Sequence, residues 1–175
     1  METMTDISYK VSLCGEPGVG KTSIALRQAQ DSFPISHQPT LGANFLIWNI
    51  MVEGKDIRLI IGDSGSQEKF LPVLPTYFMG SVVAALVFDI TKKKSFERLD
   101  FWHDLLVQTV GDIPVIVIGN KLDLEESREV TKEEAEGYAE KLNTAYFEVS
   151  AKAKVNLFTA FKKIVTIAIE NNDNF

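Results

Sequence analysis

The sequence predicts an α/β fold: a six-stranded, mostly parallel sheet with one antiparallel edge strand, flanked by five helices. Two observations carry this. Apolar runs of strand length alternate with segments of helical period, a pattern that leads to a sheet covered by helices on both faces. Between the first strand and the first helix stands Gly15-Glu16-Pro17-Gly18-Val19-Gly20-Lys21-Thr22, which fits the phosphate-loop pattern G-x-x-x-x-G-K-[ST] at every fixed position.

The elements follow in order. Residues 9–14 read as a strand, with Val11 and Leu13 alternating against Ser12 and Cys14. A helix opens at Ser23 and runs through Ile24, Ala25 and Leu26. Residues 44–52 and 56–61 are two strands joined by Glu53-Gly54-Lys55, a short glycine-containing link that predicts a hairpin and hence one antiparallel pair. Runs 82–88 and 114–118 are almost wholly apolar, as in central strands covered on both sides. A last strand spans 145–149, and helical segments occupy about 95–109, 131–142 and 155–170. Thr131 and Glu134 form a capping-box pattern at the start of one of them.

Composition narrows the class. With 175 residues, 45% of them hydrophobic, the chain reads as one domain, residues 1–175, with a sizeable core. A net charge of −6 argues against a nucleic-acid surface, and Lys92-Lys93-Lys94 reads as a solvated helix face. The single cysteine, Cys14, fits a reducing compartment and a buried strand position. No apolar run reaches membrane-span length, and the N-terminus lacks a signal-peptide design. His37 and His103 read as ordinary surface or packing residues without metal-ligand spacing.

The motifs name a ligand. In the phosphate loop, backbone N–H groups would curl around phosphate oxygens, with Lys21 on the β- and γ-phosphates and the Thr22 hydroxyl on Mg²⁺. Gly15, Glu16, Pro17, Gly18, Val19, Gly20, Lys21, Thr22 and Ser23 are the residues expected along the phosphates. Asn120-Lys121-Leu122-Asp123 follows a strand, and the Asp123 carboxylate could accept from guanine N1–H and N2–H, a donor pair that adenine lacks. Asn120 would brace the loop and the Lys121 stem would cover the base. In Ser150-Ala151-Lys152, after the last strand, the Ala151 N–H could donate to guanine O6. GTP or GDP with Mg²⁺ is therefore the expected bound species.

With these motifs in register, the chain resembles the Ras superfamily of small GTPases, and most of all its Rab branch, over about residues 9–169. Leu41-Gly42-Ala43-Asn44-Phe45, Gln67-Glu68-Lys69-Phe70, Tyr77-Phe78-Met79-Gly80-Ser81 and Leu86-Val87-Phe88-Asp89-Ile90-Thr91 all look like Rab-type segments. The resemblance implies a phosphate-loop G domain that hydrolyses GTP. It makes Thr40 the switch I threonine, with its hydroxyl on Mg²⁺ and its N–H on the γ-phosphate. Phe33 would pack edge-on against guanine, Asp63 would hold Mg²⁺ through a water, and Gln67 would orient the attacking water. Gln67, Lys21 and Thr40 are thus the catalytic set, and Thr22, Thr40 and Asp63 the metal set. Taken singly, Thr40 would be a turn residue, Gln67 a surface glutamine and Asp63 a strand end; their joint order favours the functional reading.

Departures from the family lie in Gly62-Asp63-Ser64-Gly65-Ser66-Gln67-Glu68, where the usual run is Trp-Asp-Thr-Ala-Gly-Gln-Glu. Ser66 stands at the glycine that contacts the γ-phosphate, and its Cβ narrows the backbone angles allowed there. Hydrolysis or switching is expected to be altered. Gly62 removes a tryptophan of the Rab effector patch, while Phe45 and Tyr77 remain. Pro17 fixes φ in the phosphate loop, and Pro72 with Pro75 predicts a later-starting switch II helix. No arginine lies between Ser32 and Phe45, so slow turnover and a GTPase-activating protein are expected. Effectors and an exchange factor complete the expected partners of a monomeric, cytoplasmic protein. The segment 170–175 has no cysteine, so attachment to a membrane's cytosolic face would need a lipidated tail beyond it. A second reading stays open: a nucleotide-bound interaction module that hydrolyses little GTP.

Overall fold

The computed structural model describes residues 7–172; the expectations for the two chain ends at 1–6 and 173–175 lie outside these. The sheet runs β2-β3-β1-β4-β5-β6, with β1 at Ile7–Cys14, β2 at Ala43–Val52, β3 at Lys55–Ser64, β4 at Val83–Asp89, β5 at Val115–Asn120 and β6 at Tyr146–Glu148. Among the strand pairs of the described residues, the β2–β3 pair alone is antiparallel. Its two-residue turn, Glu53-Gly54, has both residues at positive φ, as the twist of a tight hairpin requires.

Neighbouring strands explain the burial. β1 lies between β3 and β4, so Val11, Ser12, Leu13 and Cys14 are all buried despite their alternating polarity. The two faces solve the problem differently: Ser12 Oγ pairs with Ser81 Oγ at 2.7 Å, while its apolar neighbours enter the core. All seven residues of β4 are buried, as a covered central strand requires.

Helices close both faces. On one, α1 (Lys21–Gln30) and α6 (Leu157–Glu170) pack Ile24, Phe161 and Ile164 onto Leu13, Ile57 and Ile118. On the other, α2 (Leu74–Phe78), α4 (Leu99–Val110) and α5 (Lys132–Lys141) set Phe78, Trp102, Leu106 and Ala135 against Leu86, Phe88 and Val117. The Thr131 capping box is present: Glu134 N–H donates to Thr131 Oγ1 at 3.1 Å, and Thr131 N–H donates to Glu134 Oε2 at 2.9 Å.

Among the described residues six helices stand where five were expected, because the segment 95–109 is divided. α3 (Lys93–Glu97) ends at Arg98, whose ψ of −2° opens the helical path before α4 begins. The Arg98 side chain is drawn to long-range partners, donating from Nε to Glu16 Oε1 at 2.7 Å and lying over the Phe101 ring at 4.0 Å. α6 likewise starts two residues late, since Val155 exchanges backbone hydrogen bonds with Ser150 at 2.9 and 3.1 Å. β3 runs on to Ser64, beyond the expected Ile61, by pairing with β2 as far as Ala43. A 3₁₀ turn, Glu68–Phe70, precedes α2, which carries Pro75 in its first turn and starts late, as the prolines predict.

Candidate functional site

The parallel strands deliver their C-terminal ends to one edge, where ligands of such sheets bind. The phosphate loop follows β1. It closes onto α1 with Gly20 at φ 98°, and a Cβ there would stand 2.2 Å from Asn120 Nδ2. Only glycine allows that approach. Asn120 uses it to brace the loop, its Nδ2 donating to Val19 O at 3.0 Å while its Oδ1 accepts the Ala151 N–H at 3.3 Å.

The Lys21 ammonium is buried within the loop. It donates to Gly15 O at 2.8 Å, to Glu16 O at 2.9 Å and to Ser66 Oγ at 2.7 Å. Loss of water lowers its pKa to about 8, with Asp63 foremost among the charges that oppose the shift. Beneath the loop, burial pushes the Cys14 thiol up to about 12.

Beside Lys21, three oxygens converge from three segments. Thr22 Oγ1 donates to Asp63 Oδ2 at 2.7 Å and lies 2.6 Å from Thr40 Oγ1. Asp63 Oδ1 is buried without a hydrogen-bond partner. Burial raises the Asp63 pKa, against the Thr22 hydroxyl and the Lys21 charge. One carboxylate and two hydroxyls, with an orphaned oxygen among them, form a hard donor set of the kind Mg²⁺ completes with substrate phosphates. These residues fit the ion.

A cavity of about 510 Å³ joins this cluster to the end of β5. Ser66 and Gln67 line it from the loop after β3, Thr40 and Phe33 from the segment after α1, and Asp123 and Lys152 from the loops after β5 and β6. Asp123 Oδ1 accepts from Ser150 Oγ at 2.6 Å, and its carboxylate is otherwise exposed. Lys121, at φ 70°, donates to Gly18 O at 2.8 Å and lies 2.8 Å from Asp89 Oδ2, an ion pair without hydrogen-bond alignment.

Most expected residues line this cavity: Pro17, Gly18, Gly20, Thr22, Ser23, Asn120 and Ala151 join those already named. Five do not. Gly15 and Asp63 lie beneath the wall, the Val19 side chain is in the core, Ser150 is fully buried, and the Glu16 carboxylate turns away to Arg98. The Ala151 N–H is already engaged by Asn120, so reaching a base oxygen would make it a shared donor. Two residues take a place at the site that the sequence did not assign them: His37, read as an ordinary surface or packing residue, and Asp89, read only as part of a Rab-type segment. His37 lines the cavity and meets Phe33 edge-on, with ring centroids 5.7 Å apart. Asp89, wholly buried at the end of an apolar strand, anchors Lys121; a lone acid ending such a strand was its only sequence signal.

The fold and this edge are those of a phosphate-loop nucleotide-binding protein. The model of the Ras family matches residues 10–170. Similar curated proteins include "Ras-related protein Rab-7b" of Bos taurus, 38% identical over 173 residues, which span 97% of this chain and 86% of that protein. "Ras-related protein Rab-13" of Rattus norvegicus is 36% identical over 160 residues, 91% of this chain and 79% of that one. The chain belongs to the Ras family, as a Rab-like small GTPase.

Proposed function

We propose that this chain, as a single G domain, binds GDP and GTP with Mg²⁺ and hydrolyses GTP slowly as a molecular switch in vesicle traffic. The observation that carries the reading is the convergence of Thr22, Thr40 and Asp63 beside Lys21, at one end of a cavity whose other end is Asp123. Lys21 and the loop N–H groups hold the phosphates, and Asp123 selects guanine. Mg²⁺, when bound, offsets phosphate charge and orients the oxygens. Gln67 positions the attacking water; together with Pro17, Glu68 and Lys69 it also lines a shallow depression open to solvent. An activating protein could present a cation there. An arginine so supplied accelerates hydrolysis about 10³–10⁵-fold, and residues 33–44 offer none of their own.

Exchange factors, activating proteins and effectors are the expected partners of a monomer. The trafficking role rests on likeness to the Rab proteins. Among the described residues no helix is long and apolar enough to cross a membrane.

Single-turnover hydrolysis of GTP with Mg²⁺ tests the assignment. The native chain should turn over slowly, and Gln67→Leu should lower the rate at least tenfold without loss of GTP binding. An unchanged rate in Gln67→Leu would remove Gln67 from the mechanism.

A further inference from the structure

We propose that Arg98 is a positioning residue for phosphate binding: it holds the Glu16 carboxylate outside the cavity, away from the phosphate chain. This role rests on the nucleotide site proposed above and belongs to a residue outside that site.

An acid is a poor neighbour for a phosphate, and Glu16 lies inside the loop that would wrap one. Its carbonyl accepts from the Lys21 ammonium at 2.9 Å, and the next two residues, Pro17 and Gly18, line the cavity. Its charge is among those that act on Lys21. The direction of the side chain keeps the carboxylate out. Arg98 sets that direction, its Nε donating to Glu16 Oε1 at 2.7 Å.

Both ends of this pair stand on fixed backbone. Arg98 closes α3 and opens α4: its N–H donates to Lys94 O at 3.2 Å, and its carbonyl accepts the Trp102 N–H at 3.3 Å. The Trp102 side chain is buried, and the Arg98 guanidinium lies over the Phe101 ring at 4.0 Å. On the other side the loop is pressed onto β4, where a Cβ on Gly15 would stand 2.1 Å from Val87 O. The bond therefore ties the junction of α3 and α4 to the phosphate loop, across 82 positions of the chain.

The pair does little for the fold. Its side chains are 42% and 24% exposed, and ion pairs so open to water contribute little stability. Its effect falls on the ligand. Freed from Arg98, the Glu16 carboxylate either faces the phosphates as a like charge or takes up the Lys21 ammonium that they need. Each outcome weakens nucleotide binding, and each is screened by salt.

The test is a double-mutant cycle on GDP affinity, read by competition with a fluorescent GDP derivative in the presence of Mg²⁺. Arg98→Ala should weaken GDP binding about three- to tenfold at about 0.05 M salt, and less at about 0.5 M. Arg98→Met, which keeps a long stem against Phe101 without the charge, should lose as much. Glu16→Gln should bind GDP about two- to threefold more tightly than the native chain, because an acid has left the loop. In the Glu16→Gln background, Arg98→Ala should cost no more than about twofold, since no carboxylate is left to hold. An equal loss in both backgrounds would overturn the proposal, because Arg98 would then act by its own charge or by packing at the helix break. Unchanged GDP affinity in both Arg98→Ala and Arg98→Met would also overturn it and leave the nucleotide site standing. Failure of the native chain to bind GDP or GTP would overturn both.

Discussion

The two walls of the cavity are held in opposite ways. The base-side wall is tied down by long-range bonds to backbone. Asn120 reaches Val19 O, Lys121 reaches Gly18 O, and Arg27 donates to Ala151 O at 2.8 Å and to Lys152 O at 3.1 Å. The phosphate-side wall is joined to the rest by side-chain hydroxyls: Thr40 meets Thr22, and Ser66 meets Lys21. The run 35–39, which leads to Thr40, is exposed throughout. A guanine keeps one shape through a reaction cycle, whereas a phosphate chain changes length. On the proposed reading, the braced wall would meet the constant base, and the wall held by hydroxyls would meet the changing phosphate chain.

That contrast breaks most directly at Asp123. Asp123→Ala should cost about 10²-fold or more in GDP affinity, from two lost charge-assisted hydrogen bonds, with no gain of ATP binding. Isothermal titration with GDP and ATP reads both. A loss below threefold would mean that Asp123 does not read the base.

Asn120→Ala comes next and acts on the empty protein. It strands the Val19 carbonyl and the Ala151 N–H in buried surroundings, at a cost of about 1–3 kcal/mol. Circular dichroism of the nucleotide-free chain should show a Tm lower by roughly 5 °C. The smallest effect belongs to the other wall. Thr40→Ala should change the nucleotide-free Tm by no more than about 2 °C, because its partner Thr22 keeps Asp63. A fall as large as that of Asn120→Ala would show the two walls to be equally braced.

Much of this was legible in the sequence, for a physical reason. Strand and helix periods are local, so the six strands and most helices could be read directly. The phosphate loop, the 120–123 loop and the 150–152 loop each carry their chemistry in consecutive residues, so their meeting followed once the strands were placed. What remained hidden depends on partners distant in the chain. The helix break at Arg98 answers to Glu16 and Phe101. The anchoring of Lys121 by Asp89, the Ser66–Lys21 bond and the His37–Phe33 contact have no spacing signature. The sequence marked Ser66 for its backbone, as a residue with a Cβ where glycine is usual. The structure adds its hydroxyl, which spacing could not have paired with Lys21.

Cys14 has a practical consequence. It is the only cysteine in the chain, it is 1% exposed, and burial holds its thiol protonated far above neutral pH. Maleimide and disulfide reagents need an accessible thiolate, so the native fold is chemically silent toward them. A cysteine introduced at an exposed site such as Gln38 would then carry a fluorophore or spin label without first deleting the native one. The motion of the phosphate-side wall could be followed in an otherwise unaltered protein.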